Sequence, residues 1–144
     1  MFPDMDNRIE ESKKSGKVAE LTYMPKVWGA EFWFANNAGY CGKVLSLKKG
    51  HRCSFHSHKK KEETFLVVQG KVLMENDENT WVMLPGAVQH IPHGLVHRFT
   101  GLEDSVIIEA STTHYEDDSY RKTQSEKIPE EEFNALMRKY GKEE

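Results

Sequence analysis

Apolar and polar residues alternate over most of the central chain, a pattern typical of β-strands with one buried face. Residues 40–48 alternate around Leu45 and Leu47, which share one face. Residues 71–75 and 80–84 flank a polar turn sequence, as the two strands of a β-hairpin would. Many short strands at regular turn spacing predict an all-β fold of the jelly-roll or barrel type.

The end of the chain changes to a helical period. Acidic residues follow Pro129 and basic residues precede Gly141, an order that the helix dipole favours. We expect Pro129 near the first helical position and Gly141 just past the last. We expect the helix to pack on the β-domain or on a second subunit. Its apolar stripe consists of Phe133, Leu136, Met137 and Tyr140.

Two charged residues fall on strand faces that the pattern predicts to be buried. Lys43 is in phase with Leu45 and Leu47, and Glu109 lies within the apolar strand 105–111. A buried unpaired charge costs several kcal/mol or shifts its pKa. Lys43 could reach solvent from a strand end, pair with a buried carboxylate, or serve chemistry. Glu109 could sit at a rim, pair with a lysine, or act as an acid–base group.

Two histidines and a glutamate are spaced as metal ligands. His56 and His58 are two residues apart, so in a strand both imidazoles point to one face. Glu63 begins the next apolar run, 65–68, and we expect the two strands to pair. Glu62 is the alternative, but Glu63 agrees better with the inward positions of that run. Imidazoles and a carboxylate converging in this way indicate a divalent-metal site.

A third histidine completes the predicted ligand set. His97 opens a strand after a turn marked by Pro92 and Gly94. Cys53 is out of phase with His56 and is not expected to bind the metal. Of the other histidines we exclude His51, His90 and His93 as ligands and leave His114 open.

These spacings resemble the two motifs of the cupin superfamily. From Gly50 to Gly70 the chain reads G-x5-H-x-H-x4-E-x6-G, and from Gly86 to His97 it reads G-x5-P-x-G-x2-H. The second motif usually ends with Asn, where this chain has Gly101. The resemblance implies a single cupin jelly-roll β-barrel followed by a helix. It also implies one divalent ion (Mn, Zn, Fe, Ni or Co) held by His56, His58, Glu63 and His97.

A narrower resemblance suggests a reaction. Residues 28–31 (Trp-Gly-Ala-Glu), Lys43, Glu109 and the acidic run ending at Arg121 occur in the order found in small sugar-isomerase-like cupins. These are the D-lyxose isomerase-like proteins and the cupin domain of type II mannose-6-phosphate isomerases. The resemblance implies an aldose–ketose isomerase that acts on a sugar or sugar phosphate through enediol chemistry, with a hydride shift as the competing mechanism.

Residue roles follow as hypotheses from that chemistry. Glu109 would be the base, and Lys43 its electrostatic or proton-shuttling partner. Arg121, with Asp117 or Asp118, would hold substrate hydroxyls or a phosphate. We interpret the run at residues 59–61 (Lys-Lys-Lys) as a solvated loop rather than a phosphate site. The alternative functions are an Fe(II)-dependent oxygenase and a sugar-binding module without catalysis.

Length and charge limit the remaining possibilities. The 144 residues suit one domain, divided into a polar N-terminal arm (1–20, helical or extended), a β-barrel (21–125) and a C-terminal helix (126–144). A net charge of −3 does not favour nucleic acid or an anionic membrane. The charged N-terminal segment is unlike a secretory signal, so we expect a cytoplasmic protein with Cys41 and Cys53 as free thiols. Analogy with cupins of this size predicts a homodimer.

Overall fold

The computed structural model describes residues 5–16 and 18–142. Within this part of the chain, neither helix has the length and apolar character needed to cross a membrane. The elements are α1 (Met5–Lys13), β1 (Thr22–Lys26), β2 (Gly29–Asn36), β3 (Cys41–Leu47), β4 (His51–Arg52), β5 (His56–Ser57), β6 (Glu63–Gln69), β7 (Val72–Asn76), β8 (Thr80–Met83), β9 (Val88–Ile91), β10 (His97–Gly101), β11 (Ser105–Ser111), β12 (Tyr120–Arg121), β13 (Glu126–Lys127) and α2 (Glu130–Tyr140).

The strands form two antiparallel sheets that face each other as a jelly roll. One sheet has the order β1-β2-β3-β11-β6-β9. The other has the order β12-β5-β10-β4-β13, with β7 also paired to β10 and β8 to β7. This arrangement confirms the predicted all-β jelly-roll fold, and β7 and β8 form the predicted hairpin.

The core lies between the two sheets. Leu45 and Phe65 extend from the first sheet and Phe99 from the second, and all three are buried. Trp28, from the turn between β1 and β2, packs edge-on against Phe99 at 5.1 Å between ring centres. Because this hydrophobic cluster fills only part of the space between the sheets, polar side chains on the same inner faces line a cavity at one end.

Two glycines at motif positions lie where a side chain would not fit. Gly70 has a φ of +92°, and a Cβ there would lie 2.5 Å from the Asp104 carbonyl oxygen. At Gly101 a Cβ would lie 2.6 Å from the Lys48 carbonyl oxygen. The close approach of the Lys48 backbone therefore accounts for Gly101 at the position where the motif usually has Asn.

The terminal segments agree in part with the sequence predictions. Residues Met5–Lys13 are helical, which decides between the two alternatives for that part of the N-terminal arm. In α2 the predicted apolar stripe is only half-buried, and Pro129 is the N-cap rather than the first helical residue. Arg52 forms ion pairs with Glu126 of β13 and Glu132 of α2, and so ties the C-terminal segment to the second sheet.

Candidate metal centre and active site

Three histidines meet at the end of the cavity. His56 and His97 are register partners on β5 and β10, and His58 lies just past β5. One ring nitrogen from each lies within 4.8 Å of the others. Because neighbouring strands hold two of these rings side by side, the backbone pairing fixes the cluster.

Each histidine is oriented by a hydrogen bond from its other ring nitrogen. A carbonyl oxygen can only accept, so every Nδ1 involved carries the proton and every Nε2 keeps a lone pair. Backbone anchoring of this kind is the usual support of metal-binding histidines. The bonds run from His56 to the Ser54 carbonyl (2.7 Å), from His58 to that of Asp118 (2.9 Å) and from His97 to that of Leu95 (2.9 Å).

The three imidazoles are neutral at physiological pH. Burial lowers the pKa of His56 well below its usual value, and the neighbouring His97 adds to the effect. Burial and the nearby Lys61 lower the pKa of His58 to about 4. Burial also lowers the pKa of His97. Neutral imidazole is the form that binds metal, so the cluster is ready to receive a cation.

Glu63 reaches the histidines from the opposite sheet. Its Oε2 lies 3.4 Å from Nε2 of His58 and 3.8 Å from Nε2 of His97. The expectation that the strands of His56 and Glu63 pair is wrong, because β5 and β6 belong to different sheets. Glu62, the alternative ligand, instead faces outward and contacts His90 at 2.9 Å.

The unsatisfied atoms of the cluster fit a divalent cation. Oε2 of Glu63 and Nε2 of His97 are buried without a hydrogen-bond partner among the described residues. Burial and the nearby Glu109 raise the pKa of the Glu63 carboxyl to about 8. A cation between these atoms would satisfy both and favour the ionised carboxylate. Three imidazole nitrogens and one carboxylate oxygen suit Zn, Fe, Ni or Mn.

Lys61 contradicts the interpretation of residues 59–61 as a solvated loop. Its side chain is 4% exposed, and Nζ lies 3.1 Å from Oε2 of Glu109 and 3.8 Å from Oε2 of Glu63. Lys59 and Lys60 are exposed, as expected. Lys61 turns inward because it precedes β6 in phase with Glu63, so it continues the inward face of that strand.

Asp118 holds the backbone of this lysine run. Its carboxylate accepts N–H hydrogen bonds from Lys59, Lys60 and Lys61 at 2.9–3.1 Å. Although burial opposes its charge, these three donors keep the pKa of Asp118 below its usual value. The Asp118 side chain therefore holds the backbone conformation of the loop that carries Lys61.

Lys43 and Glu109 are buried, as the strand pattern predicts. They are register partners on β3 and β11, but Nζ of Lys43 lies 3.4 Å from Glu31 and 4.4 Å from the centre of the Trp33 ring. Lys43 is 1% exposed, which excludes the strand-end alternative. Burial raises the pKa of Glu109, but Lys61 and Lys43 outweigh it and hold that pKa below its usual value.

A cavity of about 330 Å³ joins these groups. The predicted substrate residue Arg121 lines it, but within the described chain its lining includes neither Asp117 nor Asp118. Asp117 is exposed and lies 4.0 Å from Lys60. This geometry does not support the predicted contact of either aspartate with substrate. The candidate metal ligands and acid–base side chains that line the cavity are His56, His58, Glu63, Lys43, Lys61 and Glu109.

His114 and Cys53 are also among the residues that line the cavity. His114, left open by the sequence, packs against Trp33 with ring centres 5.1 Å apart, and burial lowers its pKa. Cys53 accepts a hydrogen bond from the Phe99 N–H, and burial raises its pKa to about 12. Cys53 is therefore a neutral thiol, as expected for a residue outside the ligand set. Both cysteines are free.

Sequence reasoning did not identify Lys61, His114 or Glu31 as cavity residues. The signal for Lys61 was available, because the inward alternation of Glu63, Phe65 and Val67 extends back to it. The other two carried no such signal. Glu31 reaches the cavity through β-sheet register, and His114 follows β11 in an irregular segment.

Comparisons with known proteins agree with this architecture. The family model of the cupin domain matches residues 43–109. No curated protein matches the sequence significantly.

Solved structures resemble the fold at low sequence identity. KdgF from Halomonas sp. has a TM-score of 0.62 and 20% identity, covering 67% of this chain and 91% of its own. The capsular polysaccharide assembling protein CapF from Staphylococcus aureus has a TM-score of 0.65 and 23% identity, and the match covers 83% of this chain and 40% of CapF. An RmlC-like cupin from Shewanella frigidimarina NCIMB 400 has a TM-score of 0.62 and 16% identity, and the match covers 67% of this chain and 87% of that cupin. Residues 43–109 thus match the cupin domain, and the chain has the RmlC-like jelly-roll fold.

Proposed function

We propose that this cupin is a metal-dependent enzyme that interconverts aldose and ketose forms of a small sugar. The observation that carries the proposal is the buried Glu109 carboxylate, which is kept ionised by Lys61 in the same cavity as the histidine cluster. Isomerisation needs a base beside an electrophilic centre, and this cavity brings Glu109 of the first sheet and the histidines of the second sheet together.

The ligand set proposed for the cation is His56, His58, Glu63 and His97. When bound, a divalent ion supplies a Lewis acid that polarises a sugar carbonyl and the neighbouring hydroxyl. Glu63 would neutralise part of its charge, and the backbone-anchored imidazoles would offer it the lone pairs of their Nε2 atoms.

Glu109 is the proposed base. Its carboxylate takes the proton from C2 of an aldose and returns it to C1, while the hydroxyl proton passes from O2 to O1. This balance needs no redox partner. Lys61 holds Oε2 of Glu109 in place over 3.1 Å and keeps the carboxyl ionised, so the base is fixed in both position and charge.

Lys43 is not proposed as a direct partner of Glu109, although that role is expected from the sequence. Its ammonium is bound to Glu31 and stacked on Trp33, and it is 1% exposed. A charge held in this way cannot move far, so we assign it to electrostatic support of the negative charge that develops on the sugar oxygens.

The size of the cavity supports a small ligand. About 330 Å³ lies at the lower end of the range for ligand pockets, which suits a monosaccharide better than a longer chain. CapF, a structural neighbour described as assembling capsular polysaccharide, gives a carbohydrate context for this fold.

Proton NMR in D2O tests the proposal. The protein is loaded with Mn, Zn, Fe(II) or Ni and offered a panel of aldoses and ketoses, free and phosphorylated. We expect metal-dependent interconversion with deuterium entering at C2. Interconversion without exchange would indicate a hydride shift. A lack of interconversion with every sugar and metal would refute the isomerase, and O2 uptake by the Fe(II) form would favour an oxygenase.

A matched pair of variants tests the base. Glu109→Gln should abolish C2 exchange and leave metal binding intact, because the amide keeps the shape of the side chain without its basicity. Glu103→Gln removes an exposed carboxylate near the start of the same strand and should change neither. Exchange that persists in Glu109→Gln would exclude Glu109 as the base.

A further inference from the structure

We infer that the mouth of the cavity binds an oxyanion, either a carboxylate or a phosphate, and that Arg121 and Lys26 are its ligands. The inference rests on the proposed function for the sugar part of the ligand. It goes further in assigning that ligand a negative charge and in naming the residues that recognise it.

Charge pairing divides the cations of the cavity into two groups. The deep lysines are neutralised by carboxylates, because Lys43 pairs with Glu31 and Lys61 pairs with Glu109. Lys26 and Arg121 also line the cavity, but neither forms an ion pair within the described chain.

The carboxylates nearest in sequence to Arg121 already have partners. Glu116 lies 3.5 Å from His114, Asp117 contacts Lys60, and Glu126 pairs with Arg52. The Asp118 carboxylate accepts backbone N–H groups. Arg121 is itself exposed, so its charge is solvated in the free protein and stays available to a ligand that enters the cavity.

Strand pairing places Arg121 next to the metal ligands. On β12 it lies directly opposite His56 of β5. Side chains directly opposite in an antiparallel pair share one face, with their Cβ atoms roughly 5 Å apart. An oxyanion on Arg121 is thus within one small sugar of the histidine cluster. The planar guanidinium can bind a carboxylate or phosphate through two parallel hydrogen bonds.

Lys26 approaches from the other sheet. It is two residues after Met24, which lies opposite Glu31 in the register of β1 and β2. Since Glu31 lines the cavity, Met24 and Lys26 share its inward face. The side chain of Lys26 is half-buried, so a ligand there meets a cation that is partly removed from water. Coulombic attraction is stronger in such a setting than on an open surface.

Neutral donors complete the mouth. Ser119 and Gln124 line the same cavity and can donate hydrogen bonds to an oxyanion. A neutral sugar would leave both cations of the mouth uncompensated, whereas a carboxylate or phosphate would pair with them. The arrangement therefore favours a sugar acid or sugar phosphate over the uncharged sugar.

Calorimetric binding to the metal-loaded protein tests the inference. The probes are three sets of compounds, each a neutral hexose with its uronic acid and its 6-phosphate: those of glucose, mannose and galactose. We expect at least one anionic member to bind about tenfold or more tightly than its neutral parent, because charge-assisted hydrogen bonds contribute roughly that much. Which of the two anions gains distinguishes carboxylate from phosphate. If no anionic member binds more tightly than its parent, the inference is overturned.

Neighbouring variants separate a built site from general charge attraction. Arg121→Gln should lower the affinity for the favoured anion about tenfold and leave the neutral sugar within twofold. Lys26→Gln should have a smaller effect of the same kind. Lys122→Gln removes an equal charge from the next residue, which is not among the cavity lining, and should leave both affinities within twofold. Equal losses in Arg121→Gln and Lys122→Gln would overturn the assignment.

The same samples, followed by NMR, distinguish this inference from the proposed function. An anion preference that depends on Arg121 without any interconversion would keep the subsite and refute the isomerase. Interconversion with equal affinity for neutral and anionic sugars would keep the isomerase and refute the subsite.

Discussion

Nζ of Lys61 donates a hydrogen bond to Oε2 of Glu109 over 3.1 Å, and each side chain is only 4% exposed. Burial disfavours both charges, but the ammonium and the carboxylate stabilise each other's charged form more strongly. The pKa of Lys61 is therefore raised and that of Glu109 is lowered. The Glu63 carboxylate shares the same ammonium at the longer distance of 3.8 Å. Because Lys61 is closer to Glu109, Glu109 keeps its charge, whereas the pKa of the buried Glu63 is raised to about 8.

Breaking this pair should destabilise the fold. Lys61→Met leaves the Glu109 carboxylate buried without a partner, and we expect a loss of about 3–5 kcal/mol in the free energy of unfolding. The measurement is urea denaturation of the metal-free protein. The double variant Lys61→Met with Glu109→Leu should recover much of the loss, because no buried charge remains.

Lys49 provides the control for this pair. Its side chain is exposed, and Lys49→Met should change the free energy of unfolding by less than about 0.5 kcal/mol. A Lys61→Met protein as stable as Lys49→Met would mean that the ion pair contributes nothing.

The stability of the metal-free protein should fall as pH rises above 6.5. The pKa of Glu63 is raised to about 8 in the fold, so the folded chain holds a proton that the unfolded chain has lost. Stability is therefore lost as that proton leaves, by roughly 2 kcal/mol between pH 6.5 and 8.5. In the fold the histidines of the cluster have lowered pKa values and titrate below this window. In the unfolded chain they still lose protons near pH 6.5, which offsets part of the loss at the lower end of the window.

Glu63→Gln isolates this effect. We expect no loss of stability over the same pH window, and a slight gain at its lower end from the histidines, because glutamine has no proton to lose. Denaturation curves at several pH values in the presence of EDTA provide the measurement. A profile in Glu63→Gln with the wild-type slope would assign the pH dependence to another group.

Metal binding should stabilise the native protein through His97. A ligand at 100 times its Kd adds about 2.7 kcal/mol. We expect Mn, Zn, Fe(II) or Ni to raise the Tm and EDTA to reverse the change. His97→Asn should lose most of this response, whereas His90→Asn, at an exposed histidine that contacts Glu62, should keep it. Equal responses in both variants would exclude His97 as a ligand.

Asp118 should prove structural. Asp118→Asn replaces one acceptor oxygen with a donor group beside the N–H groups of residues 59–61. We expect a loss of about 1.5–3 kcal/mol and faster hydrogen exchange at those amides. Asp117→Asn changes an adjacent aspartate with an 83% exposed side chain and should stay within about 0.5 kcal/mol. Wild-type exchange rates in Asp118→Asn would contradict this role.

Local pattern was sufficient for much of the fold. The alternation around Leu45 and Leu47 predicts β3, and the polar turn at residues 76–79 predicts the hairpin of β7 and β8. The spacing of His56 and His58 predicts a shared face because the period of a strand is two residues. Three further points stay predictions: that the ligand set binds a catalytic metal, that the protein is a homodimer, and that the chain divides into the three segments given above.

The sequence by itself determined the main strands along the chain, the positions of Lys43 and Glu109 on predicted apolar strand faces and the grouping of the candidate ligands, because each depends on periodicity over a few residues. Only the tertiary structure decided that Glu63 comes from the sheet opposite His56 and that Lys61, rather than Lys43, contacts Glu109. Those relationships join residues far apart in the chain. They depend on how two sheets face each other and on how Asp118 shapes a distant loop, which no local spacing records.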